Sequence, residues 1–324
     1  MTDFAGLVRG TAGELARRRA GVAVAAIAGG EAETAAAGRA APEAVFEIGS
    51  LTKVFTALAL ARMVVAGKAG LDEPVAELLD APVPERDGEH ITLRHLATHT
   101  SGLPRLPKGM LLTSLLDPRK PDPYAGCSAE FLLEGLTRTR LGAVPGTRFR
   151  YSNLGAGLLG LALARRAGTS YGELVAEQVC RPLGLANTAL DTPGLVQGHD
   201  RRRRPVAPWN LADLAGAGGL RSTAADLLVF ARAQLDPDST ALAEAVRLTR
   251  TEGHRVHRFM TVRLGWMELR KDGSTQLWHN GATGGFTSFL ALRPADGTAV
   301  AALSDTARSV DRPATDLLRA LPAS

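Results

Sequence analysis

Residues 50–67 constrain this chain more than any other stretch. After Ser50-Leu51-Thr52-Lys53 the sequence runs Val54-Phe55-Thr56-Ala57-Leu58-Ala59-Leu60-Ala61, a helical segment with little polar surface. A helix that is apolar nearly all round belongs in an interior, so the fold has to be layered around it. The same helix begins with reactive groups. Positions i and i+3 share a helix face, which holds Lys53 next to the Ser50 hydroxyl. A serine is a poor nucleophile until a neighbour takes its proton. An amine beside apolar surface has a lowered pKa and can take that proton near neutral pH. With Ser50 opening the helix, its backbone N–H is one of the unpaired N-terminal donors and can receive an oxyanion. Taken alone, Ser-x-x-Lys fits a capping serine with a snorkelling lysine equally well.

Two further segments bear on that choice. Tyr151-Ser152-Asn153 follows Pro145-Gly146 and precedes Leu154-Gly155. A phenol beside a lysine can serve as general base or acid, and an asparagine amide can orient the lysine and hold a substrate amide oxygen. Trp278-His279-Asn280-Gly281-Ala282 runs into Thr283-Gly284-Gly285-Phe286. A glycine there lets a strand pass close to a ligand, and the Ala282 N–H can be a second oxyanion donor. Each segment alone is also explained by a surface turn or a glycine-rich hairpin.

The remaining chain partitions by periodicity and turn residues. Helices are expected at 3–18, 50–67, 92–98, 128–138, 153–167, 169–179, 239–249 and 310–321. Another is expected from Thr223, boxed with Asp226, to about Leu235. Strands are expected at 21–28, 31–38, 262–270, 275–280, 286–293 and 298–304, with turns at Gly29-Gly30, Asp272-Gly273 and Asp296-Gly297. Residues 104–127 and 191–210 read as loops, the first bordering the substrate pocket. Strands lie at the two ends and helices in the middle. The predicted fold is therefore α/β, an antiparallel sheet flanked by N- and C-terminal helices with an inserted all-α domain. The domains divide as 1–80 with 210–324 against 81–209, with the active site between them.

The three segments, in this order, resemble the penicillin-recognising serine hydrolase superfamily, and within it the class C β-lactamase, D-aminopeptidase and esterase branch. Further landmarks are Ile91-Thr92-Leu93-Arg94-His95-Leu96-Ala97-Thr98-His99-Thr100-Ser101-Gly102-Leu103-Pro104, Arg181-Pro182-Leu183-Gly184-Leu185 and Gly216-Ala217-Gly218-Gly219-Leu220-Arg221-Ser222-Thr223. The resemblance implies a β-lactamase/transpeptidase-like fold and covalent acyl transfer without a cofactor. Ser50 is the nucleophile. Lys53 and Tyr151 share the proton, with the identity of the base open. Asn153 orients Lys53 and substrate, the N–H groups of Ser50 and Ala282 receive the oxyanion, and His279, Asn280 and Gly281 complete the substrate side.

The third segment departs from the Lys-Thr pair that suits a β-lactam carboxylate. His279 carries less charge at neutral pH, and Asn280 replaces a hydroxyl with an amide. The expectation is weak or absent β-lactamase activity and a small ester or amide substrate. Water or an amine or alcohol acceptor would release the acyl group. Three readings follow: a serine esterase or amidase, a biosynthetic transacylase or transamidase, and a non-catalytic ligand-binding relative. Intact Ser50, Lys53, Tyr151, Asn153 and Gly281 weigh against the last.

Composition narrows the partners. The net charge is +5 and aromatic residues are 5% of the chain. The run Arg201–Arg204 precedes Pro205 and reads as a solvated loop. No basic stripe is interleaved with aromatics, so nucleic acid is not an expected partner. His95 and His99 are four apart with no third ligand, so no metal site is expected. Cys127 and Cys180, the two cysteines, match no metal or redox spacing, and their pairing is open. Arg17-Arg18-Arg19 before Gly21–Ala28 mimics a secretion signal but reads as a helix end and first strand. No run approaches the ~20 apolar residues of a membrane span. A cytoplasmic protein with no membrane partner is expected, and nothing sets an oligomeric state.

Overall fold

A run of small apolar residues, buried throughout, starts the sheet as β1 (Gly21–Ala28), and Gly29 and Gly30 at φ 57 and 79 turn the chain into the half-exposed β2 (Glu31–Gly38). In this computed structural model, which describes residues 3–110, 122–271 and 273–322, two short strand pairs follow. They are β3 (Phe46–Glu47) with β6 (Arg221–Ser222), and β4 (Gly198–His199) with β5 (Pro205–Val206). The chain then adds β7 (Gly253–His257), β8 (Met260–Arg263), β9 (Met267–Lys271), β10 (Ser274–Ala282), β11 (Thr287–Arg293) and β12 (Thr298–Ser304). These close onto the first hairpin as one eight-stranded sheet of order β2-β1-β12-β11-β10-β9-β8-β7. Every neighbouring pair is antiparallel, and β1 meets β12 in the register Val22↔Ser304 to Ile27↔Ala299.

Short polar residues start most of the helices by accepting an amide of the first turn. Asp3 caps α1 (Phe4–Ala16), Thr92 caps α3 (Leu93–Ala97) and Ser128 caps α4 (Ala129–Thr137). Ser152 caps α5 (Asn153–Ala167), Ser170 caps α6 (Tyr171–Val175) and Thr223 caps α7 (Ala224–Leu235). Further helices are α2 (Thr52–Val65), α8 (Ala243–Thr251) and α9 (Asp311–Ala320), besides a single turn at Arg181–Leu183.

Hydrophobic packing forms three cores. On one sheet face Val22, Val24, Phe289 and Val300 pack against Val8 and Leu15 of α1 and Leu317 of α9. On the other, Ala23, Leu290 and Leu303 pack with Phe55 of α2, Phe230 of α7 and Trp266. The Phe55 and Phe230 rings stack at 4.3 Å. The third core joins Leu60 and Met63 of α2 to Leu96, Leu132 and Leu158 of α3, α4 and α5. Helix α2 thus feeds two cores, which is why its sequence has so little polar surface. The fold is the α/β one expected, an antiparallel sheet with flanking helices.

Several boundaries differ from the sequence reading. The expected strand 262–270 is two strands, because Gly265 at φ 74 turns the chain against α2. A Cβ there would sit 2.8 Å from the Lys53 carbonyl oxygen. Strand β7 was not foreseen; its residues Gly-His-Arg-Val-His alternate exposed and half-buried on the sheet's edge. The helix expected at 239–249 starts at Ala243, since Pro237–Ser239 forms a separate 3₁₀ turn. The expected 169–179 helix changes to a π turn at Ala176–Cys180. The Thr223–Asp226 box is half made: Thr223 accepts from the Asp226 amide, but the Asp226 carboxylate accepts from Asn187 N and Thr188 Oγ1 at 2.8 and 2.7 Å. Cys127 and Cys180 belong to different cores and are not joined by a disulfide. Residues 111–121 of the expected 104–127 loop and Asp272 of the expected hairpin turn lie outside the described residues. Among the described residues no helix is long and apolar enough to cross a membrane.

Candidate active site

Ser50 lies on a single 3₁₀ turn, Gly49–Leu51, that leads directly into α2. Lys53, one turn on, is buried, and its Nζ donates to Ser50 Oγ at 2.9 Å and to the Ala217 carbonyl at 2.5 Å. Ala217 is delivered by a glycine-lined approach. Gly216 lies so close to α5 that a Cβ would meet Gly160 Cα at 2.9 Å, and Thr56 Oγ1 donates to its carbonyl at 2.9 Å. Burial holds the Lys53 pKa below its ordinary value; the Tyr151 phenol opposes the shift and Arg105 adds to it. The amine stands 5.0 Å from the centre of the Tyr151 ring.

Tyr151 is set by the start of α5. Ser152 Oγ accepts from Gly155 N at 2.9 Å and donates to the Pro104 carbonyl at 2.6 Å. The Ser152 amide donates to His99 Nδ1 at 3.3 Å, and the His99 ring lies 4.4 Å from that of Tyr151. His99 is buried, which keeps its pKa well below 6.5. The landmark segment around His99 therefore positions the second motif. The Lys53 amine is held by Ser50 and Ala217, and Asn153 is not among its hydrogen-bond partners. Asn153 Nδ2 donates to the Tyr124 hydroxyl at 3.4 Å, and its Oδ1 is buried with no partner among the described residues.

The third motif ends β10. His279 is buried and its Nδ1 lies 2.7 Å from the Asn280 carbonyl, while Nε2 has no partner among the described residues. Burial, reinforced by the charge of Lys53, lowers the His279 pKa to about 3. The imidazole is thus neutral at physiological pH, with its ring 6.3 Å from that of Tyr151. Asn280 faces the other way along the pleat. Its Nδ2 donates to Asp311 of α9 at 2.7 Å, while the residue still lines the cavity beside Ser50. Gly281 has no room for a side chain: a Cβ would lie 1.9 Å from the Ile48 carbonyl oxygen. At Gly49, which has φ 50, a Cβ would lie 2.7 Å from Ala282 N. The end of β10 is therefore pressed against the nucleophile turn, and Ala282 is brought up to Ser50.

A cavity of about 480 Å³ is lined by Ser50, Tyr151, Asn153, His279, Asn280, Gly281 and Ala282. Arg105, Tyr124, Trp209, Met267 and Trp278 complete its walls. Sequence reasoning missed these five as site residues, four of them in loops or next to a motif without a pattern of their own. The Trp209 amide donates to Glu47 Oε1 at 2.7 Å, and its ring lies 5.3 Å from that of Tyr124. Glu47, three residues before the nucleophile in a buried strand, holds Trp209 from 162 residues away, a contact with no local signal. Arg105 stands 5.5 Å from the centre of the Tyr151 ring. A larger cleft of about 680 Å³, over Pro104–Gly109 and Arg138–Arg140, shares Arg105 and contains none of the three motifs. Among the described residues no cluster of three or more His, Cys, Asp or Glu is placed to hold a metal ion.

A family model described as β-lactamase matches residues 4–324. The chain belongs to the β-lactamase family. It is a serine hydrolase of this superfamily. D-alanyl-D-alanine-carboxypeptidase/endopeptidase AmpH of Escherichia coli (strain K12) is 30% identical over 270 residues, 78% of this chain and 68% of that protein. A β-lactamase of Pseudomonas fluorescens is 27% identical, covering 94% of each chain. A solved class C β-lactamase superposes with a TM-score of 0.83 at 23% identity, over 100% of this chain and 98% of that one. That likeness extends the β-lactamase-family fold to the whole molecule.

Proposed function

We propose that this β-lactamase-family protein hydrolyses a small ester or amide through an acyl-enzyme on Ser50. The observation that carries the reading is the Lys53 amine, buried and 2.9 Å from Ser50 Oγ. Desolvation favours its neutral form, which can accept the serine proton. Ser50 Oγ attacks the carbonyl carbon as its proton passes to Lys53. The N–H groups of Ser50 and Ala282 receive the developing oxyanion. Lys53 does not line the cavity and Tyr151 does, so the proton reaches the leaving group through the phenol as the C–O or C–N bond breaks. Water then attacks the ester, and the same groups return the proton to Ser50. Asn153 Oδ1, buried and without a partner among the described residues, suits a substrate N–H.

The substrate is proposed to be small, with an apolar portion against Tyr124, Trp209, Met267 and Trp278. Of the lining residues Arg105 carries a permanent charge, whereas the third motif offers neutral His279 and an Asn280 amide already engaged by Asp311. That arrangement supports weak turnover of β-lactams, despite the names of the relatives. We place the site between a sheet domain of 1–80 with 210–324 and a helical domain of 81–209, in a cytoplasmic protein.

Intact-mass spectrometry tests the reading. A fluorophosphonate should add one equivalent, mapped to Ser50, to the protein but not to Ser50→Ala, and p-nitrophenyl acetate should be hydrolysed only by the former. An unlabelled Ser50 would sink the proposal. Adding amine or alcohol acceptors separates the transfer reading: amide or ester product outpacing free acid would replace hydrolysis with transacylation.

A further inference from the structure

Two arginine runs that the serine chemistry does not use are brought together by the fold. Arg17-Arg18-Arg19 follows α1, and Arg201–Arg204 lies in the turn between β4 and β5, about 180 residues later. A third segment, 305–309, follows β12. Backbone bonds stitch the three: Asp305 N donates to the Gly21 carbonyl at 3.1 Å, and His199 N to the Asp305 carbonyl at 2.8 Å. Ala307 N donates to the His199 carbonyl at 2.9 Å. The result is a concave site of about 350 Å³ walled by Arg18, Arg19, Arg201, Arg308 and Ser309.

Three of the guanidinium groups, those of Arg19, Arg201 and Arg308, donate to carbonyl oxygens rather than to acids. Buried Arg19 donates to the carbonyls of Leu15, Arg308 and Ser309. Arg201 Nε donates to the Ala307 carbonyl at 3.2 Å, and Arg308 Nη2 to the Arg201 carbonyl at 3.2 Å. Among the described residues no carboxylate within ion-pair distance serves Arg18, Arg19, Arg201 or Arg308. Two of the acids around them are engaged elsewhere. Asp200 holds Arg204, and Asp305 accepts from Gly21 N and Thr306 Oγ1. Burial, with the Arg308 charge added, holds the Arg19 pKa below its ordinary value, and Glu14 opposes that shift. Four like charges thus share one concavity, three of them bonded to neutral carbonyl oxygens.

We propose that this concavity is a binding site for a compact polyanion bearing clustered phosphate groups. Planar guanidinium forks match phosphate oxygens two at a time. Arginines arriving from three separate segments surround a small anion, where a flat surface would favour a membrane. None of these residues lines the catalytic cavity, so the site stands independently of the hydrolase reading.

Inorganic tripolyphosphate is the probe. Calorimetric titration at fixed ionic strength should show saturable binding to the full chain. The exposed triple variant Arg18→Gln/Arg201→Gln/Arg308→Gln should weaken it at least about tenfold. Arg255→Gln, on the opposite edge strand β7, removes the same charge far from the site and should leave it unchanged. The circular dichroism spectrum and urea midpoint of the triple variant should match those of the parent, which reports that it is folded. Equal heats from sulfate at matched ionic strength would overturn the proposal. So would undiminished tripolyphosphate binding by the triple variant, or binding only to phosphatidylglycerol vesicles.

Discussion

Lys53 and His279 show how one buried neighbourhood treats two bases. Both lose the charged form to desolvation. For Lys53 this means the reactive, neutral amine appears at a lower pH than the ordinary lysine value of 10.5. Acylation should therefore rise with pH along a limb centred below 10.5, measured by stopped-flow burst kinetics with an activated ester; a midpoint at or above 10.5 would contradict the base assignment. Lys53→Met should lower kcat by roughly 10³-fold or more while the fold persists. For His279 and His99 the consequence is for stability. Their folded pKa values lie below 6.5, that of His279 at about 3. Below 6.5 the unfolded chain binds protons that the folded chain refuses. Stability should thus be intact above pH 6.5 and fall as pH drops toward 3, by up to about 1.4 kcal/mol per unit for each imidazole. Urea midpoints at pH 7 and pH 5 measure this, and equal midpoints would refute it.

At the scale of elements, the interlock between β10 and the nucleophile turn is the decisive feature. Gly281→Ala puts a methyl 1.9 Å from the Ile48 carbonyl, so either the strand or the turn must move. A shift of about 1 Å at reacting groups costs on the order of 100-fold in rate. The variant should lose at least that much kcat for an activated ester, and an unimpaired rate would show that Ala282 need not sit where the fold holds it. The same elements show what could be read from sequence. Ser50 and Lys53 were legible because one helical turn fixes their spacing. Tyr151, His279 and Gly281 were legible because their neighbours resemble family motifs. The sheet was legible through its short apolar runs and its glycine turns. What escaped was set by long-range packing. The break at Gly265 depends on the approach of α2, the placement of Trp209 depends on Glu47, and the diversion of Asn280 depends on Asp311, which lies 31 residues away. None of these contacts leaves a local pattern.

For the whole molecule, α2 ties the sheet to the helical core. Phe55 is fully buried and stacked on Phe230. Phe55→Ala should cost about 3–5 kcal/mol, read from denaturant midpoints, and unfolding should stay a single transition by fluorescence and circular dichroism. Separate transitions would show that the two cores are less coupled than the shared helix suggests. The turn carrying Arg201–Arg204 is exposed and divides the chain between the nucleophile and β10. A cut there leaves Ser50 on one fragment and Ala282 on the other, each with an unfinished core. The two pieces would form a split reporter, silent apart, whose ester hydrolysis returns in proportion to reassembly.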